Sequence, residues 1–260
     1  MKIPAFLRLT IRNIVVNTDM GTMIFMLGLP TLYLFVMGFM FQGIVPNGLK
    51  INQNGIVIPY TTFLAPGIIA LQAFTAGNIG GGMLWSDRRW GMFEQIMVGP
   101  FRRFEYLLGI IFVSIFFAIV GSLIMLAFAL TIPVTFNYTL VGVIIFLLAI
   151  VIGTILFSSL FLIISGIAKS MQAYQTITIV LFFLLDFAST SFYSITSSTP
   201  VWLVYIADIN PLTYISNILR DSFIYGVNYQ TFVSLGIIFT GMIILFTIST
   251  RVYKNIRSGI

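Results

Sequence analysis

Long uncharged runs alternate with short charged clusters along this chain. No Asp, Glu, Lys or Arg occurs from Ile51 to Ser86, or from Tyr106 to Ala168. A helix needs about 20 predominantly apolar residues to cross the hydrocarbon core of a bilayer. The pattern therefore predicts membrane spans near residues 20–41 (just after Asp19), 60–83, 106–130, 139–167, 173–190 and 231–250. The third and fourth spans are separated by turn signals at Thr131-Ile132-Pro133 and Phe136-Asn137-Tyr138. Gln42–Pro59, with Pro46-Asn47-Gly48, Lys50, Asn52 and Asn54-Gly55, reads as a polar loop.

Two segments do not fit simple crossings. In the N-terminal piece Ile3, Leu7, Ile11, Ile14 and Val15 form an apolar stripe, with Lys2, Arg8, Arg12 and Asn13 mostly opposite. This predicts an interfacial helix lying on the membrane surface in contact with lipid, although Phe6, Leu9 and Val16 blur the stripe. A basic flank that only sets topology is the plainer alternative. Between the last two spans, VWLVYIA and LTYISNILRDSFIYG flank a break at Asp208-Ile209-Asn210-Pro211. Each run is too short to cross, so two re-entrant half-helices are expected, since irregular backbone at that depth must be buried in protein or face water. The expected fold class is an all-α membrane protein with six transmembrane helices.

Composition agrees. Of 260 residues, 59% are hydrophobic and 8% are charged, against roughly 25% charged in a soluble domain. Residues 1–260 read as one membrane domain with no room for a large soluble one. The first ~18 residues lack the compact apolar region and small-residue cleavage site of a secretory signal. With the N-terminus inside, eleven of the thirteen Lys and Arg residues fall on cytoplasmic pieces, leaving Lys50 and Arg220 outside. Both termini are then cytoplasmic, and the net charge of +6 requires no nucleic acid to explain it.

The chain has no Cys and no His. Thiolate and imidazole metal ligands, Cys nucleophiles and Ser-His centres are therefore excluded, and no metal site is expected. No Gly precedes any of the four lysines, so the Gly-Lys-Ser/Thr core of a phosphate-binding loop is missing. Gly77, Gly80, Gly81 and Gly82 lie late in the second span, where small residues at such spacing serve close helix packing.

The stretch from Asp87 to Glu105 holds seven of the twenty charged residues. Such an island between spans must sit in water or against another protein. It reads as a short helix that Ser86 or Asp87 could cap and that Gly99-Pro100 would stop. Trp90, Phe93 and Met97 at i, i+3, i+7, with Met92, Ile96 and Glu94 among them, would form an exposed aromatic–Met face. That face suits docking into a groove on a soluble partner or burial among lipid headgroups; the residues alone leave both open. Asp186 is the only charge inside a predicted span, and intramembrane acids usually face a cavity or a partner. With Asn210 and Pro211 at the half-helix break, it is a candidate for the substrate path or a gate.

FLAPGII (63–69), SDRRWGMFEQIMVGPFRRFEYLLG (86–109) and INPLTYISNILRDSFIYG (209–226) together resemble the membrane subunit of type-2 ABC transporters. The resemblance implies six spans per subunit, an interfacial N-terminal helix, re-entrant half-helices before the sixth span, and a dimeric unit of two copies or close paralogues. It also implies two copies of a separate ATP-binding subunit, so that ATP and Mg would sit on that partner and no cofactor on this chain. The loop between the second and third spans would be a cytoplasmic coupling helix, with Asp87, Arg88, Gly91, Glu94, Pro100 and Arg103 as its coupling residues. Arg89 departs from the family pattern. Glycines and Ala76 on the second span would allow sliding contacts at the dimer interface.

The expected function is ATP-driven export of a hydrophobic or amphipathic, drug- or lipid-like molecule across a prokaryotic plasma membrane. Export of a polysaccharide or teichoic-acid-type glycan is the alternative within the same topology. An ATP-independent channel or carrier is a remoter one: one acid in the spans gives little for ion coupling, and the halves show no convincing repeat.

Overall fold

The computed structural model describes residues 4–40, 50–53, 56–99, 101–132, 134–195 and 199–255. Helix α1 (Ala5–Asn17) precedes α2 (Met20–Met40). Asp19 explains the start of α2: its carboxylate accepts from the Thr22 hydroxyl and from the N–H groups of Thr22 and Gly21. These bonds hold its pKa below the usual carboxylate range. Then come strands β1 (Lys50–Gln53) and β2 (Ile56–Pro59), paired antiparallel with Ile51 opposite Ile58. Residues 50–53 and 56–59 of the expected loop are thus a strand pair, while 42–49 and 54–55 lie outside the described residues.

The remaining helices are α3 (Tyr60–Arg89), α4 (Met92–Val98), α5 (Arg103–Ala129), α6 (Leu140–Ile167), α7 (Met171–Phe187), α8 (Val201–Ile209), α9 (Pro211–Arg220) and α10 (Tyr229–Asn255). Among the described residues, α2, α3, α5, α6 and α10 are long and apolar enough to cross a membrane. Helix α7, expected as a further crossing over 173–190, is apolar but has 17 residues, a rise of about 26 Å. It stops at Phe187 because Ser189 turns back, its N–H and hydroxyl both donating to the Asp186 carbonyl. Two short helices, α8 and α9, stand where two half-helices were expected, and they meet at Asn210.

Helix α3 is the core of the molecule, with α5, α6 and α9 packed around it. Phe74 sits among the rings of Phe157, Phe161 and Phe182, with centroids 5.0–5.5 Å away. A Cβ on Gly77 would stand 2.7 Å from the Ser158 nitrogen, and one on Gly81 would stand 2.6 Å from Phe161 Cβ. These glycines therefore let α3 and α6 touch backbone to backbone. The packing expectation holds, but these contacts are to the chain's own α6. Gly77, Gly81 and the fully buried Ala76 are occupied inside the subunit and cannot form a sliding surface against a second copy.

Helix α1 packs on the bundle through a face other than its expected lipid-facing stripe. Leu9, Thr10 and Asn13 are buried, Thr10 donating to the Gly109 carbonyl of α5. Leu7, Ile11 and Val15 of the expected stripe point outward and are exposed. Phe6 and Leu9, which blur the stripe, belong to the inner face, where the Phe6 ring lies 5.4 Å from that of Phe112.

Candidate functional site

The polar island is built on the end of α3. That helix continues past its apolar run, so Ser86 and Asp87 lie inside its last turns and do not cap the island helix. The chain reverses at Gly91, whose φ of 69° lies in the left-handed region, and Gly91 is itself the N-cap of α4. Gly99 ends α4 as expected; Pro100 lies outside the described residues.

Three charged residues fasten this end to the rest of the bundle. Asp87 accepts a hydrogen bond of 2.7 Å from the Tyr106 hydroxyl and pairs with Arg12 of α1 at 3.4 Å. Arg88 donates to the carbonyls of Ser165 (2.8 Å) and Gly166 (3.3 Å), groups of the last turn of α6 that lack helical partners. Arg103 donates to the Lys254 carbonyl of α10 at 2.9 Å. Glu105 accepts from the Arg102 N–H and closes the start of α5. Together the motif residues Asp87, Arg88, Gly91 and Arg103 join α1, α3, α5, α6 and α10 around α4.

Helix α4 presents two faces. Phe93 and Ile96 are buried among Leu9, Leu84, Tyr106, Leu107 and Tyr253. The Phe93 ring meets Tyr106 at 5.5 Å and Tyr253 at 5.7 Å edge-on, and those two tyrosines stack at 6.0 Å. Outward stand Trp90 at 76% exposure and Val98 at 90%, with Met92 and Glu94 also exposed. Trp90, Phe93 and Met97 therefore do not share an exposed face. Trp90 belongs to the turn before the helix, where the 100° step does not yet apply, while Phe93 and Met97 turn toward the bundle. Among the described residues, Glu94 is the one expected coupling residue whose side chain is free on the surface side of α4.

The other candidate residues lie at the opposite end of α3. Asn210 accepts from the Leu212 N–H, capping α9, and donates to the Leu185 carbonyl at 2.6 Å, which ties α7 to α9. Pro211 occupies the first turn of α9, where its missing N–H leaves no helical bond unmade. Asp186 is buried, and neither of its carboxylate oxygens has a hydrogen-bond partner among the described residues. No ion pair joins it to Arg220 among the described residues.

Arg220, assigned from sequence to an outer loop, is 1% exposed. Its guanidinium donates to the carbonyls of Phe63 (3.1 Å), Thr190 (2.6 Å) and Ser191 (2.9 Å) and to Asn217 (3.0 Å). It also lies 3.7 Å from the centre of the Phe63 ring. Arg220 thereby takes the carbonyls of Thr190 and Ser191 in the irregular segment after α7, while the Thr213 and Ser189 hydroxyls accept from the N–H groups of the same two residues. Its amphipathic setting in LTYISNILRD, with Asn217 one turn earlier, was the available signal.

A multi-pass helical membrane protein whose charge is gathered around one short surface helix is thereby defined. The chain belongs to the ABC-2 type transporter family, whose model matches residues 4–224, from α1 to just beyond α9. It is similar to two proteins named "Putative transport permease ycf38". That of Porphyra purpurea is 26% identical over 246 residues, covering 87% of this chain and 79% of that protein. That of Cyanophora paradoxa is 31% identical over 196 residues, covering 71% and 62% respectively. Membership makes the chain a transmembrane transporter subunit and implies partnership with an ATP-binding subunit.

Proposed function

We propose that this chain is the permease of an ATP-driven exporter of a hydrophobic or amphipathic molecule, working as a pair of copies with a separate ATP-binding subunit. The observation that carries the reading is the division of α4. Its inner face, Phe93 and Ile96, is wedged into the bundle, while Trp90, Met92, Glu94 and Val98 stand free. A partner gripping the outer face would move α3 and α5 together, because Phe93 and Ile96 are packed into the bundle and Arg88 and Arg103 are bonded to neighbouring helices.

In this reading the island end is cytoplasmic, as the gathering of Arg8, Arg12, Arg88, Arg89, Arg102, Arg103, Lys169, Arg251 and Lys254 on the loops and helix ends assigned to that side supports. Helix α7 serves as the fifth of six crossings, with α8 and α9 re-entrant before the sixth and α1 on the inner surface of a prokaryotic plasma membrane. The whole chain is then one permease domain. ATP and Mg belong to the partner. Asp186, Asn210 and Pro211 belong to the outer part of the path, where the Asp186 carboxylate, without a partner among the described residues, is the group available to act.

The test is co-purification with the ATP-binding subunit and measurement of its ATPase rate. A Glu94→Arg variant, at an exposed position and free of packing consequences, is expected to lose capture and stimulation by about 10-fold or more. Unchanged capture and stimulation would overturn the coupling role.

A further inference from the structure

A cavity of about 770 Å³ lies between the end of α1, the start of α2, the second half of α3 and the start of α7. Its wall includes Arg12 and Asp87, so it opens at the island end of the bundle. Its size is that of a small-molecule site.

Three observations bear on its occupant. The first is Gly82. A Cβ built on it meets nothing within 4 Å, whereas one on Gly77 or Gly81 would strike α6. Helix packing therefore explains Gly77 and Gly81 but not Gly82, which borders open cavity. The second is Asn13, 2% exposed in the cavity wall, whose side-chain Nδ2 has no hydrogen-bond partner among the described residues. An unused buried donor is costly unless something arrives to accept from it. The third is charge. Among the described residues the wall holds Asp19 and Asp87 against Arg12, and Arg12 pairs with Asp87, which leaves Asp19 in excess. Val16, Ile79 and Ile179 supply apolar wall.

We propose that this cavity binds a cationic amphiphile carrying a carbonyl or hydroxyl oxygen, its charge near Asp19, its oxygen toward Asn13 and its apolar body along Val16, Ile79 and Ile179. Phosphate- or sulfate-bearing molecules, phosphorylated glycans included, are disfavoured by the excess carboxylate. The proposal rests on the transporter reading and narrows its substrate class.

The test uses the purified chain in phosphatidylcholine nanodiscs without any ATP-binding subunit. Fluorescence anisotropy follows rhodamine 6G, a cation with an ester carbonyl, and fluorescein, which shares the ring system but is anionic. Saturable rhodamine 6G binding is expected, with about a 10-fold or greater preference over fluorescein. Gly82→Leu, whose Cβ meets nothing within 4 Å and whose side chain would project into the cavity, is expected to abolish it without lowering thermal stability. Asp19→Asn keeps the cap of α2 while removing the charge, and is expected to weaken binding about 2- to 5-fold, since Asp19 is exposed to solvent. Equal binding of the two dyes, absence of saturable binding, or unchanged affinity in both variants would overturn the proposal. Failure of the ATP-binding subunit to co-purify would overturn only the transporter-subunit reading, because these measurements do not involve it.

Discussion

Arg220 shows how a single side chain can hold an irregular segment inside a helical membrane protein. No carboxylate pairs with it among the described residues; three backbone carbonyls and Asn217 take its donors instead. A planar fork with five N–H donors reaches several acceptors at once, which the point-like ammonium of Lys cannot do. Arg220→Lys is therefore expected to lower stability by about 2–4 kcal/mol, since freed buried carbonyls keep their desolvation cost. Denaturant or thermal unfolding in detergent would check this, and a shift within error of the parent would show that the carbonyls find other donors. Gly91 makes a complementary point. Its positive φ sets the angle at which α3 hands over to α4, and a side chain there would meet strain even though the space around it is open.

Helix α4 is short enough that its faces, not its length, decide what it does. Seven residues cannot stand alone as a helix in water; α4 exists because Phe93 and Ile96 are inserted beside Tyr106 and Tyr253. Truncating the two faces should accordingly give opposite results. Phe93→Ala is expected to cost about 3–5 kcal/mol of stability as a buried ring is lost. Trp90→Ala, on the exposed side, is expected to leave unfolding unchanged within about 0.5 kcal/mol while weakening capture of the ATP-binding subunit. Parallel unfolding and pull-down measurements separate the two effects; loss of stability in the Trp90 variant would place that ring in the core instead. The coarse element was legible in the sequence from Gly99 and the apolar spacing. Which ring turns inward was not, because a turn residue such as Trp90 sits outside the helical period used to place it.

For the molecule as a whole, sidedness is directly testable because the chain has no Cys. Single cysteines at Val98 on the island and Tyr229 at the start of α10, both highly exposed, report opposite ends. A membrane-impermeant maleimide is expected to label Tyr229→Cys in intact cells and Val98→Cys only in inverted vesicles. The reverse pattern would invert the topology. Hydropathy and charge were sufficient for a helical membrane protein, for spans within a few residues of five long helices, and for a charged island between two of them. That follows because lipid forces every spanning segment to satisfy its own backbone, so helix length and apolar content are written locally. What depended on contacts between distant residues was decided only in three dimensions: Gly77 and Gly81 closing on α6 of the same chain, Gly82 opening onto a cavity, Arg220 turning inward to carbonyls on two other segments, and Asp87 joining Arg12 to Tyr106. Such pairings span up to 157 positions along the chain, and no periodicity in a sequence encodes which neighbour a residue will meet across a bundle.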